Sequence, residues 1–163
     1  MNELTHLDSQ GNVNMVDVGA KEATHRTAKA MGRVFLPKNV MEKLAESQFQ
    51  SKKGSVLQTA ILAGIMGAKK TSELIPLCHP LLLSKVEVRI EREIDREQER
   101  EVLVIYSEVK LDGKTGVEME ALTAVSIAAL TIYDMCKAMS HDIVISNIQL
   151  LEKTGGKNDF MRS

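Results

Sequence analysis

The feature that most constrains this chain is a pair of extended runs joined by a short charged loop. Residues 84–94, SKVEVRIEREI, alternate: Val86, Val88, Ile90 and Ile94 fall on one side, Glu87, Arg89, Glu91 and Glu93 on the other. The loop DREQER follows, and then a second extended run, EVLVIYSEVKL, at residues 101–111. A period of two places successive side chains on opposite faces of a pleated strand. The pair therefore predicts a β-hairpin with its apolar face turned inward.

The segments around the hairpin supply its partners. In residues 24–36, Ala28, Ala30, Gly32, Val34 and Leu36 share one face, while His25, Thr27, Lys29 and Arg33 share the other; this predicts a half-buried strand. Pro37 opens a short helix with Val40, Met41 and Leu44 inward. Residues 55–70 predict a helix with Ser55 and Gln58 as a capping box. Ala60, Gly64 and Ala68 lie four apart on it, and glycine inside a helix costs about 1 kcal/mol against alanine, so a packing reason is expected there. Residues 115–140 predict a long helix with an apolar stripe of Leu122, Val125, Ala129, Ile132 and Cys136. Residues 142–151 predict a closing strand. Residues 1–23 read as an arm or short edge strand, and 152–163 as a mobile tail. The order βαββαβ is that of an α+β, ferredoxin-like domain: an antiparallel sheet with two long helices on one face, plus the arm and the extra short helix. The sheet's other face is then either solvated or paired with a second protomer.

Length and composition narrow the function classes. At 163 residues the chain is read as one domain spanning 1–163. Such a domain buries roughly 70% of its unfolded surface without a disulfide or metal staple. Twenty-one Lys and Arg against 22 Asp and Glu give a formal charge of −1, which argues against a general polyanion binder. Aromatics make up 3%, too few for a stacking platform on single-stranded nucleic acid. Cys78 and Cys136 form neither a zinc pattern nor a disulfide framework. The polar N-terminus carries no signal-peptide core, and the apolar stretch 121–133 is short for a bilayer span. The expected setting is soluble, reducing and cytosolic, with no membrane and no nucleic acid as partner.

Three places invite chemistry. The long helix opens on DGKTGVEMEALT; Gly113-Lys114-Thr115 has the end of a phosphate-binding loop, but Glu108 stands where its first glycine belongs. Thr115 and Glu118 read as a capping box. Glu120, two residues on, lies roughly 200° round a regular helix from Glu118, so the two share a face only if the first turn is irregular. Whether Glu118 is a cap or a site residue stays open. Asp134 and Lys137, three apart, are either a surface ion pair or an acid/base pair in a partly covered cleft. In LIPLCHPL (74–81), His79 precedes Pro80 in a stiff loop and is either structural or presented to a ligand. Cys78 and His79 lack a second ligand pair for a metal. Lysines gather at loops and helix ends: Lys52, Lys53, Lys69, Lys70, Lys114, Lys153 and Lys157. On a near-neutral chain such clusters predict a small polyanionic ligand.

Together, KKTSELIPLCHPLLLSKVEV (69–88), GKTGVEMEALTAVSIAALTIYDMCKA (113–138), MVDVG (15–19) and GGK (155–157) closely resemble the MoaC family, the cyclic pyranopterin monophosphate synthases of molybdenum cofactor biosynthesis. The likeness runs from LTH (4–6) to GGK. It departs at Lys53-Gly54-Ser55-Val56, which lacks an acidic residue common in the family. The resemblance implies a lyase. It would convert 3′,8-cyclo-7,8-dihydroguanosine 5′-triphosphate to cyclic pyranopterin monophosphate and release pyrophosphate. It also implies a homo-oligomer, a hexamer assembled as a trimer of dimers, with sites at subunit interfaces.

The same resemblance implies roles. Asp134 and Lys137 match the catalytic acid/base pair. Leu77, Cys78 and His79 match the substrate loop, as do Met119 and Glu120, with Glu118 as support. Lys53, Lys69 and Lys153 would hold the triphosphate, and Arg26 and Asp17 would stand behind them. No redox cofactor is required; the reaction leaves room for a Mg²⁺ on the triphosphate, to which no carboxylate cluster in the sequence commits. The rival reading is a non-catalytic, ferredoxin-like module binding a nucleotide or small anion. It explains the fold and the lysines but gives Asp134, Lys137 and the His79 loop no role. An RNA-binding module on the same fold would need exposed aromatics on its central strands.

Overall fold

A computed structural model describes His6, Leu7 and residues 10–163. The elements follow in the order β1 (Thr24–Phe35), α1 (Lys38–Glu46), β2 (Gln50–Ser51), β3 (Gly54–Ser55), α2 (Val56–Lys69), α3 (Thr71–Leu74), β4 (Lys85–Asp95), β5 (Arg100–Gly113), α4 (Glu118–Cys136), β6 (Val144–Thr154) and β7 (Phe160–Met161). The main sheet has the order β4-β5-β1-β6-β7, and each neighbouring pair is antiparallel. Without β7 this is the ferredoxin-like arrangement of an α+β domain, with α2 and α4 on one face.

The core lies between that face and the two helices. Ala28, Ala30 and Val34 of β1, Leu103, Ile105 and Val109 of β5, and Ala124, Val125, Ala128 and Ile132 of α4 are fully buried. The small-residue stripe has the packing reason the sequence predicts. A Cβ on Gly64 would lie 2.8 Å from the Ala124 carbonyl, and one on Gly67 would lie 2.8 Å from Ile127, so α2 and α4 meet nearly backbone to backbone. The Ser55 side chain accepts a hydrogen bond from the Gln58 amide at 3.3 Å and caps α2. By length and composition α4 could cross a membrane, yet half of it is buried within the fold, so it is the core helix.

Several expectations are corrected. Strand β1 is covered on both faces in its second half. Met31 and Phe35 join Val102 and Val104 in a second apolar cluster on the face away from the helices. Long cations roof that cluster: Arg100 lies 4.3 Å from the Phe35 ring centre, and Arg33 pairs with buried Asp95 at 2.7 Å. Ile94 faces solvent at 63% exposure rather than the core. The long helix begins at Glu118 rather than Thr115. Val117 is drawn into the core, occupies the N-cap position and makes no side-chain cap, so Thr115 and Glu118 do not form a capping box.

Strand structure also continues past residue 151. Strand β6 runs on to Thr154, and Phe160–Met161 pairs back onto Glu152 and Lys153. Gly155 turns the chain at φ +81°, its amide donates to Asp159 at 3.0 Å, and Arg162 donates from its Nε to the Leu150 carbonyl at 2.8 Å.

Candidate active site

The candidate site is a trough with two lobes. The first, of about 520 Å³, lies beside the C-terminal turn; Lys21, Arg26, Lys114, Lys157 and Gly155 are among the residues lining it. The second, of about 410 Å³, lies beside the loop after α3 and is lined by Leu77, Cys78, His79, Met119 and Glu120, with His6 at its edge. Lys21, Thr115, Gly116, Glu118 and Lys153 line both lobes and so form the wall between them.

Each element has a local reason to be there. Strand register places β1 between β5 and β6, with Thr27 opposite Thr154 and Thr24 opposite Gly113. This gathers three distant sequence segments at one end of the sheet. The Thr24 hydroxyl donates to the Gly155 carbonyl at 2.7 Å, and Arg26 Nε donates to the Gly113 carbonyl at 3.3 Å. Lys114 Nζ donates to the Gly19 carbonyl at 2.6 Å and ties the arm to the turn before α4. His79 Nε2 lies 2.9 Å from the Val16 carbonyl. A carbonyl only accepts, so Nε2 carries a proton there and donates it to Val16. Asp17 is exposed and accepts from the Gly19 amide at 2.8 Å; it shapes the arm and does not line the trough.

Glu118 and Glu120 converge on the second lobe despite their separation round the helix. Glu118 is the first residue of α4, and its carboxylate folds back over Gly116, where only the missing Cβ leaves room. It pairs with Lys153 at 3.1 Å. Glu120 points inward and is 4% exposed; burial pushes its carboxyl up to about 7, and the charge of Glu118 adds to this. Burial, with the charge of Glu120 behind it, also raises the Cys78 thiol, so Cys78 is held as a neutral thiol rather than a nucleophile. Among the described residues no group of three or more His, Cys, Asp or Glu is arranged to hold a metal ion.

Asp134 and Lys137 lie at the other end of α4. Fourteen residues of helix separate Asp134 from Glu120, about 21 Å at 1.5 Å per residue. The pair is formed, at 2.7 Å, but not in a cleft of this chain: the side chains are 58% and 52% exposed. Lys137, and more weakly Lys53, hold the Asp134 carboxyl below its ordinary value, and Asp134 holds Lys137 above its own. Lys53 therefore belongs to this end, beside an apolar hollow lined by Leu44, Met135 and Met139. Lys69 is the exposed last residue of α2 and lines neither lobe.

The structure thus joins Leu77, Cys78, His79, Glu118, Met119, Glu120, Lys153 and Arg26 in one trough, and Asp134, Lys137 and Lys53 in a second group. Sequence reasoning missed Lys21 and Thr115 as lining residues. The one sequence signal for Lys21 is its place just after the MVDVG patch.

Residues 15–156 match the family model described as the MoaC family. The chain is 52% identical over 160 residues to a Drosophila melanogaster protein named molybdenum cofactor biosynthesis protein 1. That alignment covers 98% of this chain and 27% of the fly protein, so the chain spans about a quarter of that relative's length. A match of this extent, on a ferredoxin-like domain whose two long motifs build the trough, places the chain in the MoaC family.

Proposed function

We propose that this chain is the cyclic pyranopterin monophosphate synthase of molybdenum cofactor biosynthesis. It takes 3′,8-cyclo-7,8-dihydroguanosine 5′-triphosphate, builds the pyranopterin ring system, closes the cyclic phosphate and releases pyrophosphate. The observation that carries this reading is the meeting in one trough of a buried, protonatable carboxyl with a set of cations, on a chain of the MoaC family. Ring rearrangement needs a group that exchanges protons near neutral pH, and departing pyrophosphate needs fixed positive charge.

Within this reading the site is shared between subunits. Asp134 and Lys137 act together as the general acid/base pair from one protomer, on a substrate held in the trough of another. Their exposure in a single chain fits that arrangement. Covering the pair with a second copy penalises both charges and brings the two proton affinities closer, which makes proton exchange easier. The likeness assigns triphosphate contact to Lys53 and Lys69 as well as Lys153; in this chain Lys53 stands at the Asp134 end of α4.

The test is a single turnover with the cyclised triphosphate, following pyrophosphate release and product mass together. The wild-type chain gives both. Asp134→Asn and Lys137→Ala lower the rate by two orders of magnitude or more while the oligomer, read by light scattering, is unchanged. Tight binding without pyrophosphate release from correctly assembled wild type would instead establish the anion-binding module.

A further inference from the structure

We infer that Lys114 and Asp17 are positioning residues that clip the N-terminal arm, residues 14–23, onto the trough as a wall that opens and recloses. This rests on the synthase reading for what the wall encloses, but the clip itself stands on its own geometry. Residues 14–23 belong to no helix or strand. The stretch 15–19 still alternates: Val16 and Val18 are half-buried, while Met15, Asp17 and Gly19 are exposed. An extended segment with that period turns one edge inward. Val16 and Val18 accordingly line the lobe that holds Glu120, and Lys21 lines both lobes. The MVDVG patch is thus the inner strip of the arm.

Side chains from two other segments hold the arm by its backbone. His79, from the loop after α3, donates from Nε2 to the Val16 carbonyl at 2.9 Å. Lys114, from the turn before α4, donates from Nζ to the Gly19 carbonyl at 2.6 Å. A turn of the arm itself aims that carbonyl. Asp17 Oδ1 accepts from the Gly19 amide at 2.8 Å, and the Lys21 amide donates to the Val18 carbonyl at 3.1 Å. Asp17 and Lys114 therefore act in series, one shaping the turn and the other fastening it. Both contacts are solvent-exposed, where water competes for each group. A wall tied by exposed hydrogen bonds, with no strand ladder behind it, belongs to the low-stability end of a molecule, from which lids and binding loops are drawn. Closed, it places two valines against the lobe of Glu120, Cys78 and His79; released, it leaves that lobe open to water.

Trypsin reads the clip, because residues 1–20 contain no Lys or Arg and a cut after Lys21 frees the arm. Limited digestion of the full chain, scored by mass, follows the open population when opening is fast against cleavage. Lys114→Met and Asp17→Ala each speed that cut by about tenfold, the scale of one lost charge-assisted contact, with the urea midpoint unchanged. Lys114→Arg, which still donates to the carbonyl, restores the slow cut. The double variant is cut no faster than the faster single variant, since both break one link. In turnover of the cyclised triphosphate each single variant raises KM about threefold with kcat within about twofold, because substrate binds only the closed fraction. An unchanged cut in either variant, or no rescue by Lys114→Arg, would overturn the clip. A raised KM for Lys114→Met with a normal one for Asp17→Ala would make Lys114 a ligand contact and overturn its positioning role. A faster cut with unchanged KM would dismiss the arm as a wall of the site. Cuts as expected, with no pyrophosphate released from the cyclised triphosphate, uphold the clip and remove the synthase reading.

Discussion

Glu120 is a residue 4% exposed whose carboxyl burial pushes to about 7, and so it titrates where most carboxylates are already ionised. Between its ordinary value of 4.5 and about 7, the folded chain binds more protons at this position than the unfolded chain does. Its contribution to stability is therefore full below 4.5, falls as pH rises through about 7, and is flat above. Glu120→Gln keeps the neutral shape and removes the slope. Urea midpoints at about pH 5 and about pH 8 test this: wild type loses stability across the interval, and the variant loses less. Equal losses would mean that Glu120 is ionised throughout. The sequence named Glu120 through its motif and let it share a face with Glu118 only if the first turn is irregular, which it is. A regular helical wheel does not describe a first residue whose side chain folds back over a glycine. The Asp134–Lys137 contact was legible from spacing alone, and its exposure is that of the surface ion pair the spacing allows.

Helices α2 and α4 show how far pattern alone reaches. Ala60, Gly64 and Ala68 announced a close approach, and the structure supplies its partners, with the Ala124 carbonyl where a Gly64 Cβ would stand at 2.8 Å. Alanine is the better helix former by about 1 kcal/mol, so Gly64→Ala on an isolated helix would be favourable. Here the obstacle is backbone, which does not step aside as a flexible side chain would. The overpacking is expected to outweigh the propensity gain and cost about 1–3 kcal/mol, read as a lower urea midpoint with an unchanged slope. A rise in the midpoint would mean that the helices part freely. The strands were legible by alternation wherever one face is covered, as in β4 and β5. Pattern failed at β1, where Met31 and Phe35 are roofed by arginines that look polar in sequence. It also ended the last strand at residue 151, where β6 runs on to Thr154 and a positive-φ turn at Gly155 leads to the short strand β7.

At the scale of the molecule, α4 is both the core helix and the spacer of the site. The lobes stand at its N-terminal end, because sheet register brings β1, the turn before α4 and the end of β6 together there. Asp134 and Lys137 stand about 21 Å away along a rigid rod that no loop movement shortens. Lysine clusters far apart in sequence resolve into two groups for the same reason: Lys21, Lys114, Lys153 and Lys157 meet through long-range strand pairing, which local pattern does not encode. If the proposed reaction needs both ends of α4, each working site draws one end from each of two copies, as a two-fold assembly provides. Glu120→Gln then spoils the trough half and Asp134→Asn the acid/base half, and either homo-oligomer alone is inactive. When the two are unfolded, mixed equally and refolded together, half of the dimeric pairs are heterodimers. In each heterodimer one site collects both defects and the other collects none. Activity is expected to return to about a quarter of the wild-type level, by counting sites in a random two-fold mixture. Mixing the folded proteins without subunit exchange restores nothing. A refolded mixture as inactive as its components would place both halves in one chain's site and dismiss the shared arrangement.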